Sequence, residues 1–268
     1  MLTDPDSASG DMSESVKTLS WHLRTLLRPR RRSTIVASAA AFAAVYAIMG
    51  LVPLSRLVGI PSFITMREAI SPLAGMLFGP VGGGFSMVLG VYLDFALGRP
   101  VSFLGLDFLV DMMAAVTAGL CFLGKRKLAL AVPSALVVAF LASPSSAWFV
   151  DVAGVPVPFV WMHVTSIAVL AVALRLEKGG RLKKTGPFFV APVMFASTMA
   201  GHVTGGILTE YIYLSAGTLF GSASVQAYWT TVFYLYPAER LFLTFVGTLV
   251  SVPVLRALSS WRPPTTVS

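Results

Sequence analysis

The sequence predicts an all-α polytopic membrane protein, a bundle of six to eight transmembrane helices with the N and C termini both cytoplasmic. Three observations carry that prediction. The 268-residue chain is 56% hydrophobic and 12% charged, with a mean hydropathy of +0.79, more apolar surface than a water-soluble domain of this size needs. Several runs approach the roughly 20 apolar residues that cross a bilayer. Lys and Arg are concentrated in alternate loops, as in proteins whose cytoplasmic loops are basic. The expected location is therefore the cell membrane, crossed several times. The net charge of +8 reads as topology and not as a nucleic-acid footprint.

Taken in order, residues 1–33 form a cytoplasmic polar tail. Its first fifteen residues are acidic and read as disordered, without the order of regions that marks a signal peptide. Leu19, Leu23 and Leu26 share a helical face beside Trp21. That pattern suggests either an interfacial helix with a basic anchor or a simple orientation signal. The transmembrane domain covers 34–257, with spans at about 34–53, 62–78, 80–97, 103–123, 128–148, 157–176, 187–209 and 235–257. The second and third are short and interrupted by Gly and Pro, hence the range of six to eight. Residues 258–268 form a cytoplasmic tail.

Charge placement fixes the orientation. Sixteen of the 20 Lys and Arg residues fall on one side, within 17–32, 125–127, 175–184 and 256–262. Arg56 and Arg99 fall in loops on the other side, and Arg67 and Arg240 lie within or at the edge of spans. The acids were not used in that assignment, yet seven of the 12 collect at the outer ends: Glu68, Asp94, Asp107, Asp111, Asp151, Glu210 and Glu239. An outer half that is polar and an inner half nearly without charge describe a pocket opening outward better than a continuous channel. Trp148, Trp161 and Trp229 suit the outer interface, and Trp21 and Trp261 the inner one. The aromatic loop at 210–234 reads as a lid or a re-entrant cap.

The stretch 63–111 holds most of the candidate chemistry. Two apolar segments turn back on each other through Gly79-Pro80-Val81-Gly82-Gly83-Gly84. This turn lacks the Lys-Ser/Thr of a phosphate loop and follows no soluble strand, which excludes nucleotide binding there. Gly82, Ser86 and Gly90 recur every four residues and make a close-packing face. Ionisable groups at membrane depth point to a site or pathway. Asp107 and Asp111, four apart, share a helical face and suit a cation, an amine, proton handling or an ion pair with Arg67, Arg99 or Arg240. Arg67 has the donor fork for a carboxylate or phosphate, with Glu68 beside it. His202, among Thr204, Gly205, Gly206, Thr209 and Glu210, suits a polar cavity wall. His163 and His202 have no close metal-ligand spacing, so no metal is expected. Trp229 and Tyr228 are either interfacial or available to stack on a ligand. Cys121 is the single cysteine, so no intramolecular disulfide forms.

In the first span, Ala39, Ala43 and Ala47 recur at four-residue spacing, as do Ala37 and Ala41. Small faces let helices approach closely, here either a neighbour within the chain or a partner subunit. With this span, LAGMLFGPVGGGFSMVLGVYLDFAL and its Asp94, and a last span that opens Tyr236-Pro237-Ala238-Glu239 and closes VGTLVSVPVLRAL, the chain resembles the substrate-binding S-components of energy-coupling factor (ECF) vitamin transporters. About half the chain takes part. That family typically has six spans in a shorter chain, which makes residues 125–184 an inserted hairpin here.

The resemblance implies a protein that is not an enzyme and holds no cofactor. It would capture a vitamin-like small molecule from outside for ATP-driven uptake by a transmembrane coupling subunit and two cytoplasmic ATPase subunits. The implied pocket is Arg67, Glu68, Asp94, Asp107, Asp111, His202, Glu210 and Trp229, and the implied docking face Ala37, Ala39, Ala41, Ala43 and Ala47. Two other classes stay open: a self-contained transporter using Asp107 and Asp111 as a proton or sodium site, and an integral membrane enzyme acting through His202 or Asp111.

Overall fold

The computed structural model describes residues 32–58, 63–99, 102–214 and 224–260, and the side chains of all of these except 32–35. The expected disordered tail, the interfacial helix of 16–32, the tip of the 210–234 loop and the end of the C-terminal tail lie outside the described residues. The helices are α1 (Arg32–Met49), α2 (Arg67–Ala96), α3 (Phe108–Phe122), α4 (Arg126–Leu141), α5 (Trp161–Lys178), α6 (Pro187–Thr209) and α7 (Val225–Ser260). Strands β1 (Pro53–Arg56) and β2 (Phe63–Thr65) join α1 to α2, and β3 (Phe149–Val152) and β4 (Val155–Pro158) join α4 to α5. Among the described residues three segments are long and apolar enough to cross a membrane: Arg67–Ala96, Pro187–Leu214 and Val225–Ser260.

Gly79 sets the geometry of α2. Its φ of 74° and ψ of 177° lie where a side chain would be strained, and the helix folds back there. Pro80 opens the second arm at a position where its missing N–H costs nothing. The arms 67–78 and 80–96 then run side by side, about 18 and 26 Å long at 1.5 Å per residue. This hairpin is the one expected from the sequence at spans two and three.

Glycine also sets how closely the arms pack. A Cβ on Gly75 would lie 1.8 Å from the Ala115 carbonyl oxygen of α3, and one on Gly83 would lie 2.7 Å from the Cα of Gly75. Backbones at this distance gain dispersion contact that larger side chains would block. On the far side of the second arm, α1 buries Ala39, Ala43, Tyr46 and Ala47, with the Tyr46 ring against Gly90. Three of the five alanines expected at a docking face are thus consumed in internal packing. Ala37 and Ala41 are exposed, and the docking expectation falls to them.

Two hairpins correct the all-α expectation. In the second, Val152 pairs with Val155 across Ala153 (φ 54°) and Gly154 (φ 85°), the two positive φ values that a tight hairpin turn requires. Asp151 Oδ1 accepts the Gly154 N–H at 2.9 Å, so this acid serves the turn. The expected span 128–148 accordingly ends at Leu141. The expected span 187–209 coincides with α6, while α7 begins ten residues before the expected 235.

The bundle has two unlike ends. At the turn end, Arg126 pairs with Glu177 (2.8 Å), Lys184 lies 3.8 Å from the same carboxylate, and Lys184 Nζ donates to the Phe122 carbonyl at 3.0 Å. Behind them Met76, Leu120, Phe189, Val190, Met194 and Leu255 fill the interior. At the mouth end, the tips of the α2 arms meet β1–β2, the start of α3 and the first half of α7. Outward faces are apolar, with Phe242, Phe245 and Leu249 of α7 exposed, as lipid contact requires.

Gly75→Ala is expected to cost at least the 1–3 kcal/mol typical of overpacking, because backbone atoms block the new methyl. In Gly205→Ala the methyl would meet only Val110 Cγ2, at 3.8 Å, so that variant should stay within about 1 kcal/mol of the parent. Thermal unfolding of both in detergent, followed by fluorescence, checks the contrast. Equal losses would refute the close-packing account.

Candidate functional site

Four segments converge at the mouth through one arginine. Arg67 Nη1 donates to Asp94 Oδ2 at 2.9 Å, joining the tips of the two α2 arms. Its Nε lies 3.9 Å from Asp111 Oδ2 on α3, and its guanidinium stacks 5.6 Å from the centre of the Tyr46 ring on α1. Asp94 takes a second cation, Arg99, whose Nη1 also donates to the Ala47 carbonyl at 2.5 Å. Asp111 accepts hydroxyl hydrogen bonds from Tyr46 and Ser71. Two arginines and two aspartates thus balance one another, with Asp94 and Asp111 buried. Taking such charges out of water costs several kcal/mol each, offset here by the ion pairs and the hydrogen bonds that Asp94 and Asp111 accept.

Beside this network a second pair ties α7 to α2: Arg240 Nη1 lies 2.5 Å from Glu68 Oε2. Between the two pairs opens a cleft of about 90 Å³, counted as the space open to the centre of a water-sized sphere. By the same measure one water needs about 10–15 Å³, so this is more than a hydration site. Of the residues expected at a site, Arg67, Glu68, Asp107, Asp111, His202 and Trp229 line it. Asp94 and Glu210 are not among the lining residues. Asp94 is held between Arg67 and Arg99, and Glu210 is buried in the π-helical turn Glu210–Leu214 that prolongs α6.

The lining residues differ in what they have left to offer. Asp107 accepts the backbone N–H groups of Ser102 (2.7 Å) and Phe103 (3.0 Å), shaping the turn into α3. Trp229 is buried, donates Nε1–H to the Ser145 carbonyl at 2.7 Å, and meets Phe140 and Phe159 edge to face at 5.2 and 5.1 Å. It therefore firms the wall and offers no open ring face. Asp111 and Glu68 are taken up as described.

His202 is better placed to meet a ligand. Its Nδ1 lies 3.1 Å from His163 Nε2, and the two rings stack at 5.2 Å, with Tyr236 stacked 4.8 Å from His202. The Nδ1 of His163 is buried without a partner among the described residues. An orphaned N–H is rarer in a protein interior than an under-used acceptor, so hydrogen-bond accounting puts the proton on His163 Nε2. His202 Nδ1 then accepts, and its Nε2 carries the N–H. That N–H has no protein partner among the described residues, and the ring lines the cleft. The site thus presents a donor whose tautomer is set from behind.

Sequence reasoning missed Tyr46, Ser71 and Tyr236 as site supports, and Glu239 and Arg240 as lining residues. For the last two a signal existed: adjacent acid and base inside an apolar helix mark a functional region. An expected helix start at 235 puts them near a span boundary, whereas α7 starts at Val225 and carries them in its interior. Among the described residues no three His, Cys, Asp or Glu side chains gather as a metal site.

No family model matches the chain, and no solved structure matches it. An uncharacterized protein of Methanocaldococcus jannaschii is 26% identical over 199 residues, which are 72% of this chain and 61% of that protein. The chain thus covers less than two thirds of that relative.

Arg240→Met is expected to cost about 3–5 kcal/mol, since it strands the Glu68 carboxylate. The double variant Glu68→Leu/Arg240→Met should recover most of that loss, because an apolar pair can replace a buried ion pair at little cost. A thermal-shift series on the three proteins reads this directly. A double variant no better than the single one would show that Arg240 acts through other contacts.

Proposed function

We propose that this chain is a multi-pass protein of the cell membrane, with both termini cytoplasmic, that captures a small polar solute from outside in the mouth cleft. The observation that carries the reading is the convergence of α2, α3, α6, α7 and the β1–β2 hairpin on one cleft at the polar end of a bundle whose other end is filled with apolar side chains. An outward cleft over a filled inner half suits capture followed by a change of state. It suits a standing channel poorly. Arg32 and Ser260, the first and last described residues, lie toward the turn end, where the basic residues collect, in keeping with cytoplasmic termini.

Counting the α2 arms separately, eight helical segments among the described residues overlap in sequence with the eight expected spans, and three of the helices are long and apolar enough to cross a membrane. The resemblance to ECF S-components supplies the rest of the proposal: capture of a vitamin-like solute, then uptake driven by a coupling subunit and two ATPases. Ala37 and Ala41, exposed on α1, are the positions such a coupling subunit would meet. The chain then performs no chemistry of its own, and its task is selective binding.

Purified protein is expected to retain one small molecule, detected by mass spectrometry of the denatured sample, and His202→Ala should lose it. Absence of any retained molecule, together with no thermal shift from a panel of vitamins and nucleobases, would remove the capture reading. Ala41→Trp should keep the solute and lose co-purification of the coupling and ATPase subunits. Uptake in cells that collapses with the proton gradient and needs no ATPase would point to a self-contained transporter.

A further inference from the structure

The charges of the cleft can be balanced group by group. Arg67 and Arg99 are matched by Asp94 and Asp111, and Arg240 is matched by Glu68. Asp107 is held by two backbone N–H groups. Arg56 is exposed at the rim, stacked 5.7 Å from the Phe63 ring centre. Glu239 remains. It lines the cleft and is half-buried, and among the described residues no cation or hydrogen-bond donor answers its carboxylate. It stands one turn of α7 beyond Tyr236, next to the Arg240 that Glu68 already neutralises.

Aromatic rings line the same cleft: Tyr236 stands one turn of α7 before Glu239 with His202 stacked on it, and Phe63 is exposed at the rim. Rings attract cations through their faces, more strongly when water is excluded. A half-buried carboxylate that lacks a partner favours a ligand bringing positive charge or N–H donors. An anionic solute fits less well: carboxylates already engage the Arg67 and Arg240 guanidiniums, and Arg56 is stacked on Phe63 at the exposed rim, away from the buried part of the cleft.

Resting on the reading of the cleft as a solute site, we propose that the solute is an organic cation, an amine carried on a planar ring. Glu239 receives the ammonium group, and the aromatic wall receives the ring. The His202 N–H is left for an acceptor on the same ring system.

The test uses matched pairs that share a ring and differ in charge: tryptamine with indole-3-acetate, benzylamine with benzoate, and 3-picolylamine with nicotinate. Each is added to the full-length protein in detergent and read by thermal shift and by equilibrium binding. At least one amine is expected to stabilise the protein while its carboxylate twin does not. Glu239→Gln should weaken that amine by about tenfold, the scale of one charged hydrogen bond, with the unfolding temperature of the ligand-free protein unchanged. Preference for the carboxylate twins would overturn the charge assignment and leave the cleft as a solute site. Equal amine binding by Glu239→Gln would overturn the role of Glu239. No shift from any probe, with no solute retained on purification, would overturn this inference and the capture reading together.

Discussion

The Arg67 guanidinium is the constraint on which the mouth depends. It reaches Asp94 at the tip of the other arm, Asp111 on α3 and the face of Tyr46 on α1, so one side chain fixes four segments. In surroundings of low dielectric these interactions strengthen one another, and removing any member leaves a charge with nowhere to go. The α2 hairpin is thereby fastened twice. Near Gly79 it is held by backbones packed through Gly75 and Gly83, and at its open end by charge. Between those points small buried side chains such as Ala69, Ala74 and Ser71 keep the arms close enough for both fastenings to hold.

That arrangement decides what the cleft can offer. Acids and arginines that a sequence reader would assign to a ligand are mostly spent on one another. Their service is to hold the cleft open and correctly shaped while carrying little net charge. Binding character then rests with groups left over from this balance: the His202 N–H, set by His163 behind it, the Glu239 carboxylate and the aromatic wall. Pairing within the protein offsets part of what burying these charges costs. The leftover groups lie where water or a solute can satisfy them.

Much of this was legible in the sequence where a local rule governs the outcome. Gly79-Pro80 breaks a helix wherever it stands, so the hairpin and its turn were readable, as was α6, bounded by Gly186-Pro187. The segregation of Lys and Arg from Asp and Glu gave the two ends. Six of the eight expected site residues came together on one cleft because each stands in, or next to, the mouth half of its helix. What stayed hidden depends on partners distant in sequence. Nothing local says that Asp94 would be clamped between two arginines, or that Trp229 would spend its N–H on Ser145. The strands were missed because a stretch such as Phe149 to Pro158 in a membrane chain reads equally as an apolar loop, and only the positive φ values at Ala153 and Gly154 reveal a hairpin. The phase of α1 was unreadable for a similar reason: alanine is small on every face, and it is the contacts of Tyr46 with Gly90, Asp111 and Arg67 that select which face is inside.

The most direct measurement of the central claim is accessibility from the two sides of the membrane. Cys121 is the single native cysteine and is buried, so Cys121→Ala provides a clean background. In it, Val232→Cys places a thiol in the cleft and Val81→Cys places one at the exposed turn. With a membrane-impermeant maleimide added to intact cells, the account predicts labelling at position 232, slowed by the solute that the protein retains, and none at position 81 until the membrane is opened. Labelling of position 81 from outside, with position 232 silent, would contradict it.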